Sequence, residues 1–365
     1  MKKIVIAPDS FKGTFSSVEI CEILKKTLIA KYPGTECSCI PIADGGEGTT
    51  DAFLYACSGE KIPVRVHNPV GSLIDAYYGI LPDNSAVIEM AQASGITLIN
   101  PLAPLEASTF GTGEMILDAL NRSVRKIYIG IGGSATTDGG TGCLCALGVK
   151  FLDENGNELY GNGENLAKIR KIDLSGLDKR ISETEISVLC DVENPLFGPN
   201  GAAYVFARQK GADESQIAYL NNGLENLSIV TKNTIGIDNS QIKGTGAAGG
   251  LGFALLTFLG AEMKSGIDTV LDVCRFDDKI KGADLIITGE GKMDSQSLRG
   301  KVPFGVAKRA CSIPITAIVG LSEVDEAESA SYGISRIIET NPLHLPFDEI
   351  KPKCLDMLEA AARLI

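Results

Sequence analysis

Short apolar runs, each followed by a turn or glycine-rich loop and then an amphipathic stretch, recur along this chain. The first is Ile4-Val5-Ile6-Ala7, which ends in Pro8-Asp9-Ser10-Phe11-Lys12-Gly13. Ser16 and Glu19 then stand at capping-box spacing, and Ile20, Ile23, Leu24 and Leu28 follow at helical period. Together they predict a β-loop-α unit. Similar units begin at 39–43, which runs into Asp44-Gly45-Gly46-Glu47-Gly48, and at 127–131, which runs into Gly132-Gly133-Ser134. Further runs are 188–190 before Asp191, 285–288 before Gly289-Glu290-Gly291, 315–319 before Gly320, and 336–338. Alternating strands and helices predict an α/β fold with a mostly parallel sheet covered on both faces. Such sheets bind ligands at the carboxyl ends of their strands, and these loops fall there.

Two regions break the rhythm. Residues 61–90 alternate in a β-like way, with Val64, Val66, Tyr77, Tyr78 and Ile80 around turns. Residues 149–240 are more polar, and Asp153-Glu154-Asn155-Gly156-Asn157 resembles a hairpin tip. Both point to a second α/β domain inserted into the first. The expected division is 1–60, 112–148 and 245–365 against 61–111 and 149–244. At 365 residues the chain exceeds one ordinary hydrophobic core, which agrees with two domains.

Charge and cysteine content narrow the classes. The formal net charge is −12, and no block of Lys or Arg forms a basic stripe, so nucleic acid is not expected as a partner. Any anionic substrate must then be held by a few local cations and backbone N–H groups. The ten Cys show no C-x-x-C pair or finger spacing, and His67 and His344 are the only histidines. They read as reduced, mostly buried thiols. No signal-peptide pattern follows Lys2-Lys3, and the most apolar window, 247–261, holds 15 residues and four Gly, too short to span a bilayer. A cytoplasmic protein with no membrane partner is expected, with homo-oligomerisation left open.

The loops carry the chemistry. Residues 130–140 place five Gly, three hydroxyls and Asp138 after a buried strand. Glycine lets backbone approach a ligand, and hydroxyls with exposed N–H groups can cradle phosphate, so Gly132, Gly133, Ser134 and Thr136 are candidates for nucleotide contact. A tight strand-to-helix turn would use the same glycines. Gly244-Thr245-Gly246-Ala247-Ala248-Gly249 matches G-x-G-x-x-G, but no apolar strand precedes it. Phosphate contact at Gly246 and close packing of a buried helix both remain open. A dehydrogenase is therefore disfavoured.

Thr288-Gly289-Glu290-Gly291-Lys292-Met293-Asp294 ends another strand, with Arg299-Gly300-Lys301 shortly after. Carboxylates beside Lys and Arg suit a magnesium–nucleotide and an anionic acceptor, although a solvated charge cluster would look alike. Asp191-Val192-Glu193-Asn194-Pro195 offers oxygen ligands for Mg²⁺ at Asp191 and Asn194, or else an Asx turn before proline. In Asp9-Ser10-Phe11-Lys12-Gly13, Lys12 is a partner for a substrate carboxylate or a transferring phosphoryl group. No G-x-x-x-x-G-K-[ST], H-R-D or D-F-G set occurs, which excludes the P-loop and protein-kinase frameworks.

At these same residues the chain resembles the bacterial glycerate kinase family of the glycerate 2-kinase type. The matching stretches are APDSFKG at 7–13, PIADGGEGT at 41–49, GTGE at 111–114 and GIGGSATTDGG at 130–140. CDVENPL at 190–196, QKGA at 209–212, GTGAAGGLG at 244–252 and ITGEGKMDSQSLRGKVP at 287–303 complete the set, in consistent order over nearly the whole chain. Thr137 stands where the family favours Asn, Ala207-Arg208 where Gly-Pro is usual, Lys292 for Arg and Ser297 for Thr.

The resemblance implies phosphorylation of D-glycerate at its 2-hydroxyl, with ATP and Mg²⁺. It also implies a flavodoxin-like parallel-sheet domain carrying the inserted α/β domain, with the active site in the cleft. The expected mechanism is direct in-line transfer, in which a carboxylate accepts the hydroxyl proton. Asp191 is the first choice for that base and Asp294 the second, and either could instead hold metal. Asp9, Ser10, Lys12, Asp44 and Arg299 would bind substrate. Gly289 and Lys292 would join the nucleotide set, and Glu290 would join Asp191 and Asn194 as a metal ligand. A kinase of a related hydroxy acid, a 3-phosphoglycerate-forming enzyme and a non-catalytic nucleotide-binding regulator are the alternatives.

Overall fold

The computed structural model describes residues 1–43, 45–294, 297 and 301–365. They divide into two compact units. The first comprises Met1–Asp44, Asp51–Gly59 and Gly266–Ile365, and the second Gly45–Thr50 and Glu60–Ser265.

In the first unit, five parallel strands lie side by side in the order Glu36–Cys39, Lys3–Pro8, Leu285–Gly289, Ile315–Val319 and Arg336–Glu339. Numbered along the unit this is 2-1-3-4-5, the flavodoxin-like order. Ile4, Val5, Ile6 and Ala7 are all completely buried, the continuous apolar pattern of a strand covered on both faces. The helix Ser17–Lys31 starts where the sequence places it. Ser16 accepts from the Glu19 N–H and Glu19 reaches back to the Ser16 N–H, a cap that stabilises by about 1 kcal/mol. Ile20, Leu24 and Leu28 then form one buried stripe against Ile4, Ile6, Ile287 and Leu358. Each such side chain contributes about 1.5–3 kcal/mol by leaving water.

The second unit is built on a mixed six-stranded sheet in the order Glu262–Lys264, Glu185–Leu189, Lys126–Gly130, Ala86–Glu89, Leu73–Ile80 and Glu60–His67. Its first four strands are parallel, and the last two form an antiparallel ladder. A three-stranded antiparallel sheet (Lys150–Leu152, Glu158–Leu159, Lys171–Asp173) turns at the expected tip, where the Asp153 N–H donates to the Asn157 carbonyl. The helix Glu214–Ile235 is capped by Asp213 and Gln216 and ends on left-handed Gly236. Its Leu220, Leu224 and Leu227 share a core with Ile127, Ile129, Val188 and Leu251.

The domain boundaries differ from those expected. Residues 112–148 and 245–265 belong with the second unit, because the strand Lys126–Gly130 pairs with Ala86–Glu89 and Glu185–Leu189. Apolar periodicity marks a strand but carries no sign of which sheet it joins. The run at 39–43 also shifts, since the strand proper is Glu36–Cys39. Ile40 and Ile42 continue beside the first strand through N–H bonds to the Ile6 and Pro8 carbonyls. All ten cysteines are free. Among the described residues no helix is long and apolar enough to cross a membrane.

Candidate active site

In the 2-1-3-4-5 order the direction of strand addition reverses between Lys3–Pro8 and Leu285–Gly289, and a crevice opens at the carboxyl ends of such a pair. A cavity of about 450 Å³ lies there. Asp9, Ser10 and Lys12 line it from the loop after the first strand, and Glu290, Lys292 and Asp294 from the loop after the other. The two strand ends are tied by the Asp9 N–H, which donates to the Gly289 carbonyl at 2.8 Å. Gly289 itself has a packing reason, since a Cβ there would overlap the Ile318 carbonyl.

Local hydrogen bonds hold the charged loops in shape. The Ser10 N–H donates to Asp9 Oδ1 at 2.6 Å, and the Thr14 hydroxyl closes the next turn on the Phe11 carbonyl at 2.8 Å. The Ser297 N–H donates to Asp294 Oδ1 at 3.2 Å, while Lys301 Nζ stands 3.8 Å from the same oxygen. Lys292 Nζ pairs with Glu323 Oε1 at 2.8 Å, and that hydrogen bond raises the Lys292 pKa. Lys301 also lines the cavity, so among the described residues three ammonium groups and three carboxylates share its wall. Asp44 and Arg299, both expected at the substrate, lie outside the described residues.

The second unit carries the other group of expected residues, and here burial divides them. Gly132, Gly133 and Ser134 reach the surface, whereas Thr136, Thr137 and Asp138 are completely buried. The Thr136 hydroxyl, expected near phosphate, lies inside the core. The Thr136 and Thr137 hydroxyls find no hydrogen-bond partner among the described residues. Asp138 accepts from the Thr109 N–H and hydroxyl and from the Gly140 and Gly142 N–H groups. Burial pushes its carboxyl above the ordinary carboxylate range, against the pull of those donors.

Two residues absent from the sequence-based set brace these loops. Lys210 is only 2% exposed and donates to Ser134 Oγ at 2.7 Å and to the Thr136 carbonyl at 2.6 Å. Burial drives its pKa down to about 7, with Asp138 opposing the shift. Glu89, also buried, accepts from the Gly48 N–H at 3.1 Å and the Thr50 N–H at 2.6 Å, which shapes the glycine loop after Asp44. A carboxylate that closes an apolar strand such as Ala86–Glu89 is a signal the sequence does contain.

Asp191 and Asn194 follow the strand Glu185–Leu189. Asp191 is exposed, and Asn194 donates through Nδ2 to the Asn200 carbonyl at 2.8 Å. The Gly246 N–H donates to the Asn194 carbonyl at 2.9 Å, and a Cβ on Gly246 would overlap the Pro195 carbonyl. Gly249 likewise presses on the Thr136 carbonyl. Close packing thus gives Gly246 and Gly249 a structural reason, and the segment leads into the helical stretch Ala247–Phe258, in which Ala248, Gly249 and Gly250 keep left-handed backbone. No group of three or more His, Cys, Asp or Glu is arranged to hold a metal among the described residues.

Comparison with known proteins agrees over the full length. The family described as the glycerate kinase family matches residues 4–365. A glycerate kinase of Bacillus subtilis (strain 168) is 41% identical, over 99% of this chain and 96% of the relative. A glycerate 2-kinase of Escherichia coli (strain K12) is 44% identical, over 92% of this chain and 89% of the relative. A crystal structure of a glycerate kinase 2 candidate from Salmonella typhimurium LT2 superposes with a TM-score of 0.88 at 39% identity, over 100% of this chain and 97% of that one. With the family pattern running from Ile4 to the last residue, and a solved relative alike across both units' sequence, this chain belongs to the glycerate kinase family.

Proposed function

We propose that this protein transfers the γ-phosphoryl group of ATP directly to the 2-hydroxyl of D-glycerate. The observation that carries the reading is the strand-end cavity with Lys12, Lys292 and Lys301 among Asp9, Glu290 and Asp294. A chain of net charge −12 that gathers three lysines at one cavity is equipped to hold anions there. The name of the Escherichia coli relative supports the 2-hydroxyl over the 3-hydroxyl.

In this reaction the glycerate oxygen forms a bond to the γ-phosphorus as the bond from phosphorus to the bridging oxygen of ADP breaks. The hydroxyl proton passes to a carboxylate, so the products are ADP, 2-phosphoglycerate and a proton. Asp191 is the first candidate for that base, and Asp294 the second. Lys12 and Arg299 would hold the glycerate carboxylate or offset charge on the group in flight. Glu290 and Asp294 are oxygen donors of the kind Mg²⁺ takes one or two at a time with phosphates, and Asp191 and Asn194 are the donors of the second unit. When bound, Mg²⁺ supplies neutralisation of phosphate charge.

The test supplies ATP, Mg²⁺ and D-glycerate together with enolase and no mutase. Phosphoenolpyruvate is expected directly, since enolase accepts 2-phosphoglycerate. Phosphoenolpyruvate that forms only after a mutase is added would assign the 3-hydroxyl instead. ATP consumption that ignores D-glycerate would remove the kinase reading.

A further inference from the structure

The same cavity has a second wall that glycerate does not need. Phe11, Leu345, Phe347, Ile350, Cys354 and Leu358 line it, and all but Phe11 come from the C-terminal segment 341–358. Leu345 and Phe347 remain 37% and 46% exposed although both face the cavity. Glycerate is a small anion bearing hydroxyls, with almost no apolar surface to place against them. A site of about 450 Å³ is instead the size that holds a drug-sized ligand.

The wall is also held in shape. Asn341 is buried and spends its side chain on the loop, donating to the Leu345 carbonyl at 3.0 Å and accepting the Leu345 N–H at 3.0 Å. Gly13 has φ of +84°, and a Cβ there would meet Phe347 Cζ at 3.0 Å, so its missing side chain makes room for the ring. The Phe347 ring is half-exposed, with Lys351 Nζ 5.8 Å from its centroid, and a ligand with a planar apolar part and an anionic part would complete such a place beside a lysine-bearing loop.

We propose that this wall receives the base and ribose of the nucleotide donor, with Phe347 against the base and the phosphates directed to Lys12, Lys292 and Lys301. The inference rests on the reading of the chain as an ATP-dependent kinase and adds where the nucleoside sits. Cys354 in the wall and exposed Cys311 outside it give a direct measurement on the unaltered protein. Thiol alkylation is followed by peptide mass spectrometry at both positions.

Saturating ADP should slow labelling of Cys354 by about tenfold and leave Cys311 unchanged. Tripolyphosphate, which lacks a base, and D-glycerate alone should leave Cys354 as reactive as in buffer. Protection by either of those two, or none by ADP, would overturn the assignment. Labelling needs no turnover, so it can succeed or fail independently of the glycerate assay. Phe347→Ala should raise the KM for ATP by roughly tenfold, the scale of base stacking on an aromatic ring. Phe347→Tyr, which keeps the ring, should restore it. A rise in the KM for glycerate in place of that for ATP would equally sink the proposal.

Discussion

Both units present loops at the carboxyl ends of parallel strands, yet Lys12 and Lys292 of the first use their charge in the opposite way to Lys210 and Asp138 of the second. In the first unit, Lys12 is exposed, and Lys292 and Glu323 have side chains 50% and 56% exposed. Lys12 and Lys292 face a cavity and keep their charge in reach of a ligand. In the second unit, Lys210 is 2% exposed and Asp138 completely buried, and their polar atoms are spent on neighbouring backbone and hydroxyl groups. A buried ionisable group is costly unless fully bonded, so its place in the core argues that it shapes loops. An exposed cavity charge costs little to keep and stays within reach of a ligand. The difference separates residues that hold a loop from residues that act through one.

The sharpest attempt to break this distinction is aimed at the candidate bases. Asp191→Asn is expected to lower kcat by about 10²–10⁴-fold, the range for loss of a general base, with thermal stability unchanged because Asp191 is exposed. Asp294→Asn keeps the oxygen that accepts the Ser297 N–H, so it too should fold. The coupled enolase assay reads both variants. If Asp294→Asn carries the large loss and Asp191→Asn does not, the proton acceptor belongs to the cavity.

A large effect on stability is expected from Asp138→Ala. It strands the Thr109 N–H and hydroxyl and the Gly140 and Gly142 N–H groups inside the core. A cost of about 3 kcal/mol or more follows, since each buried donor left without a partner costs roughly 1–3 kcal/mol. Urea unfolding measures it. A midpoint like that of the parent protein would mean that Asp138 is not the brace its bonds suggest.

How far the sequence reveals this division depends on what periodicity can carry. Continuous apolar runs identify the strands, and Ser16 with Glu19 identifies a helix start, because both are local patterns. The residence of Lys126–Gly130 in the second sheet is not local: it depends on pairing with Ala86–Glu89 and Glu185–Leu189. Carboxylates in glycine loops after strands announce themselves, and Asp9, Glu290 and Asp294 do meet at one cavity. Lys210 does not, since a single lysine between Gln209 and Gly211 looks like any solvated side chain. The segment 341–358 has no glycine loop to mark it, and only folding shows that Phe347 is left half-exposed.

Lys210 sharpens the comparison through pH. Its native pKa of about 7 lies below the ordinary 10.5, so between those values the unfolded chain binds a proton that the folded chain does not. Parental stability should therefore rise with pH through that window and lose the gain as pH falls to about 7. The slope contributed is at most about 1.4 kcal/mol per pH unit. In Lys210→Met this contribution disappears. Urea unfolding of both proteins at a series of pH values measures the difference. Equal slopes would mean that Lys210 keeps its charge in the core.

The smallest stability change, and the cleanest contrast with Lys210, is expected at Lys292. Its ammonium pairs with Glu323 at 2.8 Å, but both side chains are about half exposed, so solvent screens the pair. Lys292→Ala should therefore leave the unfolding midpoint nearly unchanged, as loss of a surface ion pair does. Its effect should fall on turnover, because a cavity lysine offsets phosphate charge. Lys292→Arg, which keeps the positive charge and can fork to two oxygens, should retain activity that the Ala variant loses. The decisive measurement sets the unfolding midpoint beside kcat/KM for both variants. If Lys292→Ala loses stability and keeps its turnover, Lys292 is a brace like Lys210, and exposure at the cavity does not mark the residues that act.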